Sequence, residues 1–351
     1  MNILDDLKQI KKLDKSKMAD IIAEFPEKCL KAYEEAQKIV LPRDYQNIEN
    51  IVICGMGGSG ISGELVKNLL AKQLKKPVII NRDWELPGLA GKNSLIILVS
   101  YSGETRETLS CAKTAINRKA KIFIISQGGK LKKLGKEKNL PLFDFHYPVP
   151  PRAALAYLLM PILAVLEKLG LIDLKNLKIN FSLKELRKFN QLFLPQTHVG
   201  KNIAKYLAYL IFDRLPVIIA PTELSGVARR WKTQMAENGK VFSFFEIEPE
   251  IFHNSVESQF PCRLKDEFVF LIFETFKKKN KRQKLLKEFE KMLEQKGIHW
   301  EKIPNFGSDS LTQMLSLVLL GDWISFYLAM LYQINPTPVE QIEKIKKRLN
   351  D

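Results

Sequence analysis

One segment, residues 51–63, restricts the fold of this chain more than any other. It reads Ile-Val-Ile-Cys-Gly-Met-Gly-Gly-Ser-Gly-Ile-Ser-Gly, so β-branched residues run directly into a cluster of glycines. An amphipathic pattern follows over residues 64–70, and the whole predicts a strand, a tight turn and the start of a helix. Glycines let a ligand approach the backbone, and the free N–H groups at a helix start attract anions. We interpret this segment as a phosphate-binding loop.

Two kinds of ligand fit this loop. Gly55, Gly57 and Gly60 match the G-x-G-x-x-G pattern of dinucleotide-binding proteins. Asp83 follows the next apolar run, where an acidic residue would contact the ribose of NAD. A small phosphate ester is the alternative, and the glycines alone do not decide between the two.

A second polar turn favours the small phosphate ester. The apolar run 95–99 leads into Ser-Tyr-Ser-Gly-Glu-Thr at residues 100–105. Ser100, Ser102 and Thr105 would bring several hydroxyl donors to the carboxyl edge of the sheet, and a nicotinamide ribose needs no such cluster. The same residues would also serve as a simple cap of the following helix. Together the two turns resemble the two phosphate loops of a sugar isomerase (SIS) domain.

The alternation of strand and helix patterns predicts an α/β protein with two domains. A chain of 351 residues is long enough for two cores. We expect an N-terminal SIS domain over residues 1–170, a linker over 171–195 and a C-terminal SIS domain over 196–351. Each domain would be a parallel β-sheet flanked by helices, in a flavodoxin-like, three-layer α/β/α arrangement. Strands are expected near residues 51–53, 78–80, 95–99, 121–125, 142–145, 216–220, 241–245 and 268–273.

The net charge and the apolar stretches indicate whether nucleic acids or membranes are expected partners. The net charge of +16 brings nucleic acid and acidic membranes into consideration. The lysines are spread among glutamates without a nucleic-acid motif, so we expect a solvated basic surface and no nucleic-acid partner. The apolar stretches 153–166 and 314–332 predict buried helices and no membrane span, because the first is short and the second contains Asp322. Four cysteines without paired spacing predict free thiols and a cytoplasmic protein.

The second unit lacks both phosphate motifs. Residues 220–226 read Ala-Pro-Thr-Glu-Leu-Ser-Gly where the first unit has its glycine cluster. Two other polar segments follow, Arg-Arg-Trp-Lys-Thr-Gln-Met-Ala-Glu-Asn-Gly-Lys over 229–240 and Pro-Glu-Ile-Phe-His-Asn over 249–254. Taken singly, Glu237 and His253 have the pattern of ordinary surface or structural residues. They become candidates for proton transfer because a sugar phosphate held by the first unit must present its reactive end elsewhere.

These segments, together with Pro-Arg-Ala at 151–153 and Asn-Pro-Thr-Pro-Val at 335–339, resemble the bifunctional phosphoglucose/phosphomannose isomerase family. The resemblance extends over nearly the whole chain in the same order. It implies a tandem SIS-domain isomerase that interconverts glucose 6-phosphate and mannose 6-phosphate with fructose 6-phosphate through a cis-enediol. It also implies a homodimer that uses no metal and no cofactor.

The resemblance implies a role for each candidate residue. Glu237 would move a proton between C1 and C2, and Arg152 would contact the substrate beside that proton. His253 would open the pyranose ring and reach the active site of the partner subunit. Lys346 matches the third catalytic position, and Thr337 is the candidate for the step that yields both epimers. The phosphate would be held by Gly57, Gly58, Ser59, Ser100, Ser102 and Thr105.

Three positions, Glu104, Ala236 and Ser255, depart from the family pattern. None of them is a proposed proton carrier, so they bear on the substrate preference more than on the reaction type.

The four histidines have no paired spacing, so the sequence shows no zinc site. Three rivals remain: a non-catalytic SIS protein that senses sugar phosphates, an SIS isomerase of amino sugar phosphates, and a dinucleotide-binding protein built on residues 55–60. Glu237 and His253 argue against the first, and the second would normally carry an amide-transfer domain or distinct motifs.

Overall fold

Two parallel β-sheets organise the molecule. The structure is a computed structural model that describes residues 2–173, 178–275 and 280–348, except for the side chains of residues 280, 346 and 347. Within these residues the first sheet has five strands: β1 Asn50–Cys54, β2 Val78–Asn81, β3 Ser94–Val99, β4 Lys121–Ser126 and β5 Leu142–Asp144. All its strand pairs are parallel, in the order β2-β1-β3-β4-β5. This is the flavodoxin-like order, which confirms the predicted fold class.

The second sheet repeats this arrangement with one strand fewer in the described residues. Its strands are β6 Leu215–Pro221, β7 Phe244–Glu248, β8 Phe268–Phe273 and β9 His299–Ile303. They are parallel and lie in the order β7-β6-β8-β9, which matches the first four positions of the first sheet. The two halves of the chain therefore share one topology.

Two strands of the second sheet differ from the expectation. β7, expected over 241–245, begins only at Phe244, because the preceding helix continues to Gly239 and the chain turns at Lys240, where φ is 57°. β9 was not predicted. It reads His-Trp-Glu-Lys-Ile at the edge of the sheet, and its mixed polar residues carry little of the apolar signal of a central strand.

Helices connect the strands and cover both sheets. Their bounds are α1 Leu7–Leu13, α2 Met18–Ala23, α3 Phe25–Gln37, α4 Gly57–Leu70, α5 Arg106–Asn117, α6 Gly129–Glu137, α7 Leu155–Lys168, α8 Ile179–Phe193, α9 Ile203–Ile211, α10 Ser225–Gln234, α11 Asn280–Gln295, α12 Ser310–Leu331 and α13 Glu340–Arg348. The segment 171–195, expected to be a linker, therefore contains α8. The charged outer face of α8 dominates its composition, but its apolar residues recur at helical spacing and are buried. The position of the domain boundary stays a prediction.

Each sheet has apolar residues on both faces, as a three-layer arrangement requires. In β1, Ile51 and Ile53 face the main core, whereas Val52 and Cys54 face a separate cluster beneath α5 and α6. The main core is continuous through both halves of the chain and includes α4, α7, α10 and α12. The two halves are thus joined by shared helices.

Among the described helices, only α12 is long and apolar enough to cross a membrane by length and composition. Every residue of its most apolar 18-residue window is buried inside the protein, as is typical of the core helix of a soluble protein. Asp322, in the middle of α12, is paired with a buried arginine, so its charge is satisfied within the fold.

Candidate active site

The first phosphate loop lies where β1 ends and α4 begins. The helix starts at Gly57, and Met56 at the capping position offers no side-chain cap. The amides of Ser59 and Gly60 both donate to the Met56 carbonyl, at 3.0 and 3.2 Å. The Met56 side chain accepts none of the earlier amides of this helix start, and the helix dipole favours negative charge there.

Close packing of the strand against the helix explains one glycine of this loop. A Cβ atom on Gly60 would lie only 2.5 Å from the carbonyl oxygen of Gly55, so any side chain would push β1 and α4 apart. Packing therefore requires Gly60, the last glycine of the G-x-G-x-x-G pattern, whichever ligand the loop binds.

The second loop, residues 100–105, lies directly beside the first. The amide of Tyr101 donates to the Ser59 hydroxyl at 3.4 Å, which joins the two loops. The hydroxyl groups of Ser100 and Thr105 are 2.9 Å apart, and Ser59 and Ser100 are buried. The structure therefore brings these predicted hydroxyl groups to one edge of the first sheet, while their contact with a phosphate stays a prediction.

The conformation of the second loop depends on Gly103. Its φ is 72°, and a Cβ atom there would lie 1.8 Å from the carbonyl oxygen of Gly128. Its amide donates to Ser100 Oγ at 3.0 Å, whereas the exposed Ser102 accepts a bond from the Glu104 amide at 3.2 Å. The turn thus orients one serine inward and leaves the other at the surface.

Arg152 is buried although it carries a charge. Its Nε donates to Asn238 Oδ1 at 2.6 Å, and its Nη2 donates to the carbonyl oxygens of Pro336 at 3.0 Å and Thr337 at 2.8 Å. Its Nη1 lies 3.6 Å from Oε2 of Glu237. The guanidinium is therefore held by neutral acceptors on two sides and faces the predicted base on the third.

The backbone of Arg152 also contacts the first phosphate loop. A Cβ atom on Gly58 would lie 3.4 Å from Cα of Arg152. Arg152 therefore connects the glycine loop of the first half to Glu237 of the second half. The residues expected at the two ends of the substrate lie on either side of it.

Glu237 lies in a π-helical turn, Met235–Gly239, which follows α10. Such turns are rare and occur frequently at functional sites. Lys240 ends the turn and donates from Nζ to the carbonyl oxygens of Glu237 at 2.5 Å and Pro338 at 2.6 Å. The Glu237 side chain remains 27% exposed, so a ligand can reach the carboxylate while its backbone is fixed.

Two cations, Arg152 and Lys240, lie near Glu237, and burial shifts the pKa of each. It lowers the pKa of Arg152, and the Glu237 carboxylate opposes this effect. It also lowers the pKa of Lys240, and the neighbouring charge of Arg152 lowers that pKa further. Because an arginine keeps its proton in proteins, the carboxylate has at least one cation beside it at neutral pH.

A buried ion pair supports Arg152 from behind. Nε and Nη2 of Arg230 donate to the two carboxylate oxygens of Asp322 at 3.1 and 2.7 Å, and Nη2 also donates to the Arg152 carbonyl at 3.1 Å. Gln234 donates to Asp322 Oδ1 at 2.8 Å. The sequence indicated Asp322 as a lone charge in an apolar helix, but its partner could be identified only in three dimensions.

The corresponding helix start in the second half is already occupied. Asn68 of α4 accepts, through Oδ1, the amide of Gly226 at 2.9 Å and the hydroxyl of Ser225 at 3.0 Å. Glu64 of α4 pairs with Arg229 of α10 at 2.9 Å. A side chain of the first half therefore takes the place that an anion has in a phosphate loop, which agrees with the absence of phosphate motifs from the second unit.

The structure does not bring His253 to Glu237 within one chain. His253 is exposed at the end of the 3₁₀ turn Glu250–His253, just after β7, whereas Glu237 precedes β7. That strand has five residues and spans roughly 16 Å, so the two side chains lie at opposite ends of the second sheet. Lys346 belongs to α13, but its side chain lies outside the described residues.

Thr337 contacts the candidate site through its backbone. Its carbonyl accepts from Arg152, and its amide donates to Asn335 Oδ1 at 3.0 Å. Its hydroxyl is buried and has no hydrogen-bond partner among the described residues. Such an orphan donor fits a position next to a polar ligand.

Comparison with known proteins places the chain in a family. Residues 200–349 match the family described as the bacterial phospho-glucose isomerase C-terminal SIS domain, and residues 44–142 match the SIS domain family. The bifunctional phosphoglucose/phosphomannose isomerase of Caldicellulosiruptor bescii is 35% identical over 95% of this chain and 98% of its own length. That of Aquifex aeolicus is 34% identical over 88% of this chain and 93% of its own length.

A solved structure supports the fold. The glucose-6-phosphate isomerase-like protein of Thermus thermophilus superposes with a TM-score of 0.61 over 97% of this chain and 99% of that protein, at 18% identity. At such identity the likeness concerns the architecture alone. The sequence relatives carry the assignment further: this chain belongs to the bifunctional phosphoglucose/phosphomannose isomerase family.

Proposed function

We propose that this protein is an aldose–ketose isomerase that interconverts fructose 6-phosphate with glucose 6-phosphate and with mannose 6-phosphate. The observation that carries the proposal is the position of Arg152, between Gly58 of the first phosphate loop and the carboxylate of Glu237. Family membership supports the same reaction, because the relatives bear the name of both activities.

The first half binds the phosphate end of the substrate in this proposal. Uncapped amides at the start of α4 and the hydroxyl groups of Ser59, Ser100, Ser102 and Thr105 donate to the phosphate oxygens. The phosphate is remote from the reacting carbons, so its binding energy serves to position the sugar.

The second half carries out proton transfer. Glu237 removes the proton from one of C1 and C2 and returns it to the other, through a cis-enediol. A positioned base of this kind contributes about 10²–10⁴-fold to the rate. Nη1 of Arg152, 3.6 Å from this carboxylate, stabilises the negative charge on the enediolate oxygen.

Production of both epimers requires the enediol to accept a proton on either face. Rotation about the C2–C3 bond exposes the second face. The buried and unpartnered hydroxyl of Thr337, on the segment that binds Arg152, supports our assignment of Thr337 to this step.

The ring-opening residue comes from a second copy of the chain in this proposal. His253 and Glu237 lie at opposite ends of the second sheet, and His253 is exposed. A homodimer that places His253 of one protomer at the site of the other would bring the two residues together. Histidine suits the ring-opening step because its imidazole nitrogens can donate and accept protons. We assign Lys346 as the third catalytic group on the family resemblance alone.

The departures at Glu104, Ala236 and Ser255 leave the reaction type unchanged in this account, and any effect that they have falls on the relative use of glucose and mannose phosphates. Glu104, for example, is exposed, and its carboxylate accepts from the Lys130 amide at 2.9 Å. We assign the protein to the cytoplasm, because its four cysteines are free in the structure.

Incubation with fructose 6-phosphate in the presence of a chelator tests the proposal, with both aldose products detected by coupled enzymes. We expect glucose 6-phosphate and mannose 6-phosphate to form. Binding of fructose 6-phosphate without turnover would instead indicate a sensor. Turnover of glucosamine 6-phosphate alone would indicate an amino sugar isomerase, and tight binding of NAD(H) would indicate a dinucleotide site.

Mixed dimers test the contribution of the partner subunit. Glu237→Gln and His253→Ala chains, each inactive alone, are co-expressed with different affinity tags and the mixed dimer is purified. If His253 acts across the interface, each mixed dimer contains one intact site and regains about half of the wild-type activity. If His253 acts within its own chain, the mixed dimer stays inactive.

A further inference from the structure

Asn238, the residue after Glu237, binds the guanidinium of Arg152. It is fully buried, its Oδ1 accepts from Arg152 Nε at 2.6 Å, and its Nδ2 donates to Ser325 Oγ at 3.0 Å. Both ends of the amide are therefore used. The base and this amide belong to the same π-helical turn, Met235–Gly239.

The orientation of this amide follows from its partners. The Ser325 hydroxyl donates its single proton to the Asp322 carbonyl at 2.7 Å, so it can only accept from Asn238. The amide nitrogen must then face Ser325, and the amide oxygen must face the guanidinium. A reversed amide would place two donors against each other at Arg152.

A count of donors shows what this bond achieves. A guanidinium has five N–H groups. The Nε group binds Asn238, and the two on Nη2 bind the carbonyls of Pro336 and Thr337. Among the bonds of the described residues, only Nη1 remains for a ligand, and it is the nitrogen that faces Glu237 at 3.6 Å.

The charge of residue 238 matters as much as its shape. A carboxylate at this position would form a salt bridge with Arg152 and neutralise part of its charge. It would also place a second negative charge beside the carboxylate of Glu237, and the two like charges would repel each other. A neutral amide holds the guanidinium and leaves its charge for the substrate.

We propose that Asn238 is a positioning residue for the isomerisation, which fixes the Nε edge of Arg152 so that Nη1 faces the sugar with its charge undiminished. This inference rests on the proposed function. It assigns Asn238 no contact with the substrate. Asn238 acts entirely through Arg152. Its replacement should therefore change the stabilisation of the transition state rather than the binding of the phosphate.

Asn238→Asp tests this role, because it retains the shape and changes the charge. We expect kcat for fructose 6-phosphate to fall about 10- to 100-fold while KM changes less than about threefold. Asn238→Ala should lower kcat with a similarly small change in KM, and it serves as the test if the aspartate variant fails to fold.

Ser316→Ala is the matched control. Ser316 is a buried serine of α12 whose hydroxyl contacts the carbonyl oxygens of Phe306 and Thr312, away from Arg152. It should lower the melting temperature with no change in kcat. Folded Asn238 variants with wild-type kcat, or with a raised KM alone, would overturn the inference. An inactive wild-type protein would instead overturn the proposed function.

Discussion

The two halves of this molecule share a topology but use their equivalent helix starts in opposite ways. In the first half, α4 begins with glycines and without a side-chain cap. In the second half, the start of α10 is filled by Asn68, which accepts from the Gly226 amide at 2.9 Å. The duplicated fold thus leaves one helix start without a side-chain cap, where we propose that the phosphate binds, and uses the equivalent helix start for a contact between the halves.

In the second half, the candidate base lies at the C-terminal end of α10, opposite to the end that contacts Asn68. Glu237 lies after α10, in the turn that precedes β7, and Arg152 bridges from this turn to the glycine loop. Because α4 contacts α10 through Asn68 and Glu64, the helix that begins at the phosphate loop also fixes the helix that leads to the base. The comparison therefore predicts that the two halves have different functions. It also predicts that the position of α10 depends on its contact with α4.

The largest effect is expected for Glu237→Gln. Removal of the base should lower kcat for both aldose products by about 10²–10⁴-fold. The side chain is partly exposed and contacts Arg152 only at 3.6 Å, so the melting temperature should change little. Glu294→Gln, an exposed carboxylate of α11, is the control and should keep full activity. If the Glu237→Gln variant turns over nearly as fast as the wild type, then the second half does not carry out the proton transfer.

The second prediction concerns the first half. Ser102→Ala combined with Thr105→Ala should raise KM for fructose 6-phosphate about tenfold or more, because each hydroxyl is assigned a bond to a charged group. Thr114→Ala on α5, whose hydroxyl donates to the Ser110 carbonyl of its own helix at 3.2 Å, should leave KM unchanged. An unchanged KM in the double variant would show that the phosphate is bound elsewhere.

The third prediction tests the contact between the halves. Asn68→Ala removes the acceptor at the start of α10 and should reduce the free energy of unfolding by about 1–2 kcal/mol. Asn68→Asp keeps an acceptor oxygen and should retain most of the stability. If Asn68→Ala instead gains a second bound inorganic phosphate per chain, the second half holds a masked phosphate site and the comparison fails.

The smallest effect is expected for Glu104→Asn. Glu104 is exposed and pairs with Lys130 at 3.6 Å, so its replacement should change kcat/KM by less than about threefold for each sugar. Parallel assays with glucose and mannose 6-phosphates measure this directly. A large change in the ratio of the two would make Glu104 a determinant of substrate preference.

The sequence predicted the elements with strong local signals. The β-branched runs before Gly55 and Ser100 placed β1 and β3 and, with them, the two loops. It did not predict β9, because the mixed polar residues of this edge strand carry a weak apolar pattern. It missed the helix within 171–195 because charged residues dominate the composition of that segment, although its apolar residues recur at helical spacing.

The interior of the site depends on contacts between distant segments. Asn238 and Arg152 are 86 positions apart, and Arg230 and Asp322 are 92 apart, so no local spacing predicts these bonds. Asp322 gave a signal as a charge within an apolar helix, but the identity of its partner requires the packing of α10 on α12.

A crystal structure of the Glu237→Gln variant with fructose 6-phosphate would test the central claim most directly. The account predicts the phosphate at the start of α4, within hydrogen-bond distance of Ser59 or Thr105, and C1 and C2 beside residue 237 and Nη1 of Arg152. A phosphate at the start of α10, or a sugar whose first two carbons point away from residue 237, would contradict it.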